Sequence, residues 1–273
     1  MQINCRGTLF DLSSPKVMGI LNITPDSFFD GGKYIDEDSI LRQVQLMLNE
    51  GADIIDIGAA SSRPAAKEIT EEEELKRLLP ALEVIIKNFP QAIISVDTFR
   101  AAIAEKALQT GAHIINDITA GSDDKMFETV SDYHAPYILM HMQGTPQTMQ
   151  QNPVYLNVVK EVLDFFNSKL EKTKAYNIHD VILDVGFGFG KTVEHNFELL
   201  KNLNVFKIAA VPMLAGLSRK SMICKTLNVK PGDALNGTTA LNMVALMNGA
   251  KILRVHDVKQ AKECCKLFDK LTA

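Results

Sequence analysis

The strongest constraint this chain places on its own fold is an alternation repeated eight times: a short aliphatic run, then a longer stretch of helical period. The aliphatic runs fall at 17–21, 54–57, 92–96, 113–116, 136–140, 181–184, 211–214 and 252–255. Helical patterns occupy 36–50, a stretch opened by Thr70, then 100–109, 123–132, 154–174, 193–203, 235–248 and 258–271. Runs of Val, Ile and Leu without polar alternation mark strands buried on both faces, the habit of parallel sheets. Parallel neighbours need a helix-length crossover between them. Eight such units, with no linker and no break in composition, predict an α/β protein: a (β/α)8 barrel, one domain over 1–273. A doubly wound open sheet is the rival. Local signals agree with the alternation. Gly51 stops the first helix, and Thr70 with Glu73 reads as a capping box. The acidic run Glu71 to Glu74 suits a helix N-terminus rather than a catalytic cluster. Arg6 and Gly7 read as the turn of a short N-terminal hairpin.

The sixth run tests the rival fold. Val181 to Leu183 ends at Asp184, and the chain enters Gly186-Phe187-Gly188-Phe189-Gly190-Lys191. A phosphate-binding G-x-x-x-x-G-K-[ST] loop would need its first glycine where Val185 stands. A dinucleotide fingerprint G-x-G-x-x-G would need its third where Lys191 stands. Both templates fail. An acid remains at a strand end, above a glycine–phenylalanine loop.

In a barrel, chemistry gathers at the C-terminal strand ends. Read only there, strands one, three, four and six close on Asn22, Asp97, Asn116 and Asp184. Strand seven leads into Ser218-Arg219-Lys220-Ser221, and strand eight into Arg254 and His256. Each alone could be an ordinary cap; together they form a set with two chemical halves. Asp97, Asn116 and Asp184 can grip the N–H-bearing edge of a heteroaromatic ring. Arg254, His256, Lys220, Arg219 and Arg63 offer positive charge for phosphate or carboxylate. The helix start near Ser221 adds backbone N–H groups. No strand end carries cysteine, and no Ser–His–acid set can be argued, so a covalent intermediate is not indicated. The loop 22–32 is rich in turn formers, and 59–64 carries one arginine in a stretch of small residues; both suit lids over a barrel mouth. Phe28 and Phe189 lie in glycine-containing loops, where stacking on a flat substrate is as good a reading as core packing.

Composition removes other classes. The 273 residues carry a net charge of −4 and a pI near 5.9, so neither nucleic acid nor an anionic membrane is an expected partner. The most apolar stretch, 205–217, contains Lys207 and Pro212 and is too short to span a bilayer. The first six residues lack the apolar centre of a signal peptide. Cys5, Cys224, Cys264 and Cys265 form no C-x-x-C pair, which fits a reducing cytoplasm. There is no H-E-x-x-H, and a structural zinc site is not expected.

These residues fall into motifs. Gly19-Ile20-Leu21-Asn22-Ile23-Thr24-Pro25-Asp26-Ser27-Phe28 closely resembles the opening signature of the dihydropteroate synthases. Ser95-Val96-Asp97-Thr98, Ile115-Asn116-Asp117-Ile118, Met140-His141-Met142, the 184–191 stretch, Gly216-Leu217-Ser218-Arg219-Lys220-Ser221 and Arg254-Val255-His256-Asp257 resemble that family's later motifs, in order. The resemblance runs from Val17 to Val258. It implies a (β/α)8 transferase of folate synthesis that joins 6-hydroxymethyl-7,8-dihydropterin diphosphate to 4-aminobenzoate and releases pyrophosphate, with Mg2+ as cofactor. It further implies that Asp97, Asn116, Asp184 and Lys220 hold the pterin, with Met140 packed beside it. Arg254, His256 and Asn22 would hold the diphosphate, and Asn22 would also stand near the metal. Ser62, Arg63, Pro64, Phe189 and Ser221 would form the aminobenzoate site, under a loop carrying Phe28. Gly216 and Arg219 belong to the same implied substrate set. Asp97, Lys220, Arg254 and Asn22 are the implied catalytic residues, and a homodimer is implied. The chain departs from the family at Ala60 (usually glutamate), Ala65, Val185 and Gln143. Two alternatives share the pterin grip: a methyltetrahydrofolate:corrinoid methyltransferase, which needs no anion site, and a non-catalytic pterin-binding relative.

Overall fold

The computed structural model describes residues 1–23, 29–30, 34–60, 69–145, 147–149 and 152–272. Eight strands close on themselves: β3 (Lys16–Asn22), β6 (Ile54–Gly58), β7 (Ile93–Asp97), β8 (Ile114–Asp117), β9 (Tyr137–Met140), β10 (Val181–Asp184), β11 (Met213–Ala215) and β12 (Ile252–Val255). Every pairing in the ring is parallel, and β12 returns to pair with β3. That closure excludes the open-sheet rival.

The helices are α1 (Glu37–Glu50), α2 (Glu71–Asn88), α3 (Ala101–Thr110), α4 (Met126–Asp132), α5 (Val158–Ala175), α6 (Val193–Lys201), α7 (Ser221–Leu227), α8 (Leu235–Met247) and α9 (Val258–Thr272). Two of them, α7 and α8, follow β11, where the sequence pattern gave one. Other boundaries move for identifiable reasons. The seventh strand begins at Met213 rather than at residue 211, because Pro212 has no N–H to donate to a neighbour. The fourth helix begins at Met126 rather than 123, because Asp123 spends its carboxylate on the N–H groups of Ala101 and Lys125. Of the expected capping box, Thr70 makes its half by accepting from the Glu73 N–H at 3.2 Å, but the Glu73 carboxylate pairs with Arg77 one turn on. The acidic run is otherwise structural: buried Glu74 accepts from Thr98 Oγ1 at 2.8 Å and pairs with Arg100, tying the start of α2 to the end of β7.

The barrel floor explains the N-terminal hairpin. β1 (Gln2–Cys5) and β2 (Thr8–Asp11) turn at Arg6 and Gly7, both at positive φ. The hairpin sends Ile3 and Cys5 against Met18, Ile54, Ile114, Ile138, Ile182, Leu214 and Ile252, with Leu12 just beyond it. These residues come from the lower parts of seven strands and fill the interior with hydrocarbon. Strand side chains alternate, so the residues two and four places further along also face inward. They are polar. A short ribbon, β4 (Phe29–Asp30) with β5 (Tyr34–Ile35), stands between β3 and α1. No helix among the described residues is long and apolar enough to cross a membrane. Cys5, Cys264 and Cys265 are buried free thiols, and Cys224 is a half-buried one.

Candidate active site

The inward polar layer converges on Arg254, two places beyond the floor residue Ile252. Its Nε donates to Asp56 Oδ2 at 2.6 Å, and its Nη2 donates to Asp97 Oδ2 at 2.6 Å. Asn116 Nδ2 donates to the same Asp56 oxygen at 3.2 Å. Four strands, β6, β7, β8 and β12, thus meet in one hydrogen-bonded cluster. Asp56 is wholly buried, while the side chains of Arg254 and Asp97 remain 19% and 15% exposed toward the mouth.

Asn22 and Asp97 flank Gly58 at the register positions on either side of it. A Cβ added at Gly58 would stand 3.5 Å from Asp97 Cβ and 3.6 Å from Asn22 Oδ1. Across the mouth, buried Asp184 accepts the Gly186 N–H on Oδ1 at 2.8 Å. Gly216 lies between Asp184 and Arg254; a Cβ there would be 3.9 Å from Asp184 Oδ2 and 4.0 Å from Arg254 Cβ. Lys220 runs over Gly188, and its Nζ sits 4.1 Å from the centre of the Phe189 ring, a cation–π contact. Phe189 belongs to a small apolar cluster with Ile118, Met140 and Met149. The mouth therefore has an apolar wall beside carboxylates and an amide, with two cations facing them. Such a pocket suits a flat, polar ring that carries an anionic group.

A family described as pterin binding enzyme matches residues 18–256. The dihydropteroate synthase of Escherichia coli (strain K12) is 44% identical over 271 residues, covering 98% of this chain and 96% of that one. A Yersinia pestis dihydropteroate synthase solved with a sulfonamide drug complex superposes with a TM-score of 0.93 at 42% identity, covering 100% of this chain and 99% of that one. A Xanthomonas albilineans dihydropteroate synthase with 4-aminobenzoic acid superposes with a TM-score of 0.92 at 35% identity, covering 100% and 98%. The chain belongs to the dihydropteroate synthase family.

The site has a second rim. Ser218 Oγ lies 3.0 Å from His256 Nδ1 and accepts the His256 backbone N–H at 3.2 Å. Arg219, at a left-handed φ of 57°, places Nε and Nη2 on the two oxygens of Asp257, at 3.0 and 2.6 Å. Its charge is met within the protein. Ser221 opens α7 in an exposed position, next to Lys220. Phe28, Ser62, Arg63 and Pro64 lie outside the described residues, as does Ala65. Of the departures from the family pattern, Val185 is buried core, and the Gln143 side chain exchanges two hydrogen bonds with the Val154 backbone.

Electrostatics separate these groups further. Burial raises Asp97 to about 7 against the pull of Arg254, with Asp56 adding to the rise. Burial also raises Asp184, opposed by the Gly186 N–H. Lys220 is lowered to about 8, mainly by burial, with Asp184 supporting its charge. Burial works against Arg254, but Asp56 and Asp97 outweigh it and hold the guanidinium charged. His256 corrects an expectation. Burial, then Arg219 and Arg254, lower it to about 4 even though the residue keeps an exposed surface, so it enters the neutral range as a hydrogen-bonding group rather than a cation.

Asp56 is the residue the sequence reading missed. It sits inside strand two rather than at its end, and reading strand ends alone passes over it. Its position two residues before Gly58, on the inward parity, is the signal that would have found it.

Proposed function

We propose that this chain is the transferase that condenses 6-hydroxymethyl-7,8-dihydropterin diphosphate with 4-aminobenzoate, giving 7,8-dihydropteroate and pyrophosphate. The observation that carries the proposal is the cluster in which Arg254 bridges Asp56 and Asp97 beside Asn116, facing Asp184 and Lys220. Support also comes from full-length similarity to dihydropteroate synthases. A methyl transfer from a reduced folate would have no use for the Arg254 and Lys220 charges on an anion.

In this reading Asp184 and Asn116 take the guanidine-like edge of the pterin, a geometry in which carboxylate and N–H pairs are strong. Met140 packs against the pterin ring, in the apolar cluster that also holds Phe189. Arg254, His256 and Asn22 receive the diphosphate, so that a cation meets charge developing on the leaving oxygen. The C–O bond at the exocyclic carbon breaks, and pyrophosphate leaves with the electron pair. The dihydropterin delocalises the positive charge left behind, and the Asp97 carboxylate stabilises it. The arylamine nitrogen then bonds to that carbon and loses a proton to water or pyrophosphate. Ser62, Arg63, Pro64, Phe189 and Ser221 form the arylamine site under the loop that carries Phe28. A closed loop there would exclude water, which would otherwise intercept the cation.

Mg2+ bound to the diphosphate would neutralise part of its charge. No group of three or more His, Cys, Asp or Glu that could hold a metal stands among the described residues. Asn22 offers one hard oxygen, a donor set that fits an ion taking most of its ligands from phosphate and water. We further read the chain as one domain over 1–273, acting in the cytoplasm as a homodimer. Mixing the pure protein with both substrates tests the function: pyrophosphate release that needs 4-aminobenzoate and Mg2+ is expected, and release without the arylamine would make the protein a hydrolase instead.

A further inference from the structure

The glycine–phenylalanine loop ends in a lysine that the reaction does not use. Lys191 is 3% exposed, and its Nζ lies 2.9 Å from His141 Nδ1, 2.9 Å from Phe189 O, 3.0 Å from Gly186 O and 3.2 Å from His141 O. Three carbonyl oxygens from two loops converge on one point, an arrangement that repels itself unless an N–H-bearing group fills it; burial lowers Lys191 to about 7, with Asp184 supporting its charge, and its Nζ donates there in either form. The loops touch backbone to backbone there. A Cβ at Gly186 would fall 1.9 Å from His141 O, and one at Gly190 would fall 2.4 Å from Gln143 O. Tyr155 adds a hydrogen bond from its hydroxyl to Gly190 O at 2.8 Å. His141 can serve as an acceptor because burial, together with Lys191, keeps it neutral. The peptide segment held in this way is the one that aims Phe189 at Lys220 and that gives Asp184 its Gly186 N–H.

We propose that Lys191 is a positioning residue for the arylamine site, an internal N–H donor that locks the loop after β10 onto the loop after β9 and so fixes the Phe189 ring. This rests on the synthase reading, in which Phe189 walls that site. Lys191 touches neither substrate in this role. It differs from Lys220, which faces the mouth, because every partner of its Nζ is a backbone carbonyl or a neutral ring nitrogen.

Two variants test it. Lys191→Met keeps the buried stem and removes the N–H donors, while Lys191→Gln keeps two N–H donors for the carbonyls. Hydrogen exchange read by mass spectrometry follows the 185–191 segment in the unliganded protein, and steady-state kinetics follows the arylamine. Faster exchange of that segment is expected in Lys191→Met and a smaller increase in Lys191→Gln, with β3 and β6 unchanged. The KM for 4-aminobenzoate should rise about ten- to a hundredfold, because displaced positioning groups cost on that scale. The Kd for the pterin diphosphate, by calorimetry, should rise much less than that KM, because Asp184 stays fixed in β10 and shares only the Gly186 N–H with the loosened segment. Unchanged loop exchange in either variant overturns the clamp. Faster exchange with an unmoved arylamine KM overturns the positioning role. If Lys191→Met does not fold, Lys191→Gln carries the same comparison. Wild-type protein that makes no dihydropteroate sinks the synthase reading instead, and the loop exchange then still decides whether Lys191 fixes Phe189.

Discussion

Arg254 Nη2 donates to Asp97 Oδ2 at 2.6 Å, so a cation proposed for the leaving group is held by the carboxylate proposed for the ring. The pair is not isolated. The Nε of Arg254 stays on Asp56, which leaves the outer nitrogen as the one able to exchange partners when an anion arrives. The arrangement neutralises both charges within the protein, and an anion can replace one contact without releasing the other.

Asp97→Asn tests the carboxylate. It removes the negative charge that stabilises the cation but keeps an oxygen near the ring. Turnover should fall about a hundredfold or more, the scale of losing one electrostatic stabiliser. Pterin diphosphate binding, measured by calorimetry, should weaken far less. Equal losses in turnover and binding would assign Asp97 to binding alone.

Asp56→Ala tests the anchor. It leaves the Arg254 Nε and the Asn116 amide without their shared acceptor in a buried place. Breaking such a pair from one side costs about 3 kcal/mol or more, to be read as a lower urea midpoint at unchanged slope. A variant as stable as wild type would mean that Arg254 is held by Asp97 alone.

Activity should also depend on pH in a defined direction. Asp97 at about 7 must be ionised, and Lys220 at about 8 must be protonated. The kcat/KM for the pterin diphosphate should therefore rise toward pH 7 and fall above 8, and Asp97→Asn should lose the acid limb. Stability runs the other way for Asp97. Its folded pKa lies above the unfolded value of about 3.9, so its contribution is full at low pH and is lost as pH rises toward 7. A pH-independent acid limb in the wild type would remove Asp97 from this role.

Gly186→Ala tests the loop. The new Cβ would meet His141 O at 1.9 Å, on a backbone at a φ of 68°. A strained backbone together with overpacking should cost about 2 to 4 kcal/mol, and pterin affinity should drop because Asp184 loses its fixed N–H partner. Thermal unfolding and calorimetry read the two effects. A variant of normal stability and affinity would show that the two loops can part freely.

Much of this was legible in the chain before its fold was known. The eight strands could be read because buried parallel strands carry near-continuous aliphatic runs, and the site could be read because Asp97, Asn116 and Asp184 close three of them. Asp56 could not be found that way: its partners Asn116 and Arg254 lie 60 and 198 residues away, and its own strand continues for two residues past it. Lys191 stood in plain view as the end of a failed phosphate motif. Its meaning depends on carbonyl oxygens, which every residue has and no sequence pattern marks. The charge of His256 was misread for a related reason, since its burial and its approach to Arg219 arise only through the fold.

The most direct measurement is a crystal structure of the protein with pterin diphosphate bound. The pterin edge should rest on Asp184 and Asn116, with the Arg254 outer nitrogen moved from Asp97 to a diphosphate oxygen while its Nε remains on Asp56. A diphosphate bound elsewhere, with the Arg254–Asp97 pair intact, would contradict the division of this site into a ring half and an anion half.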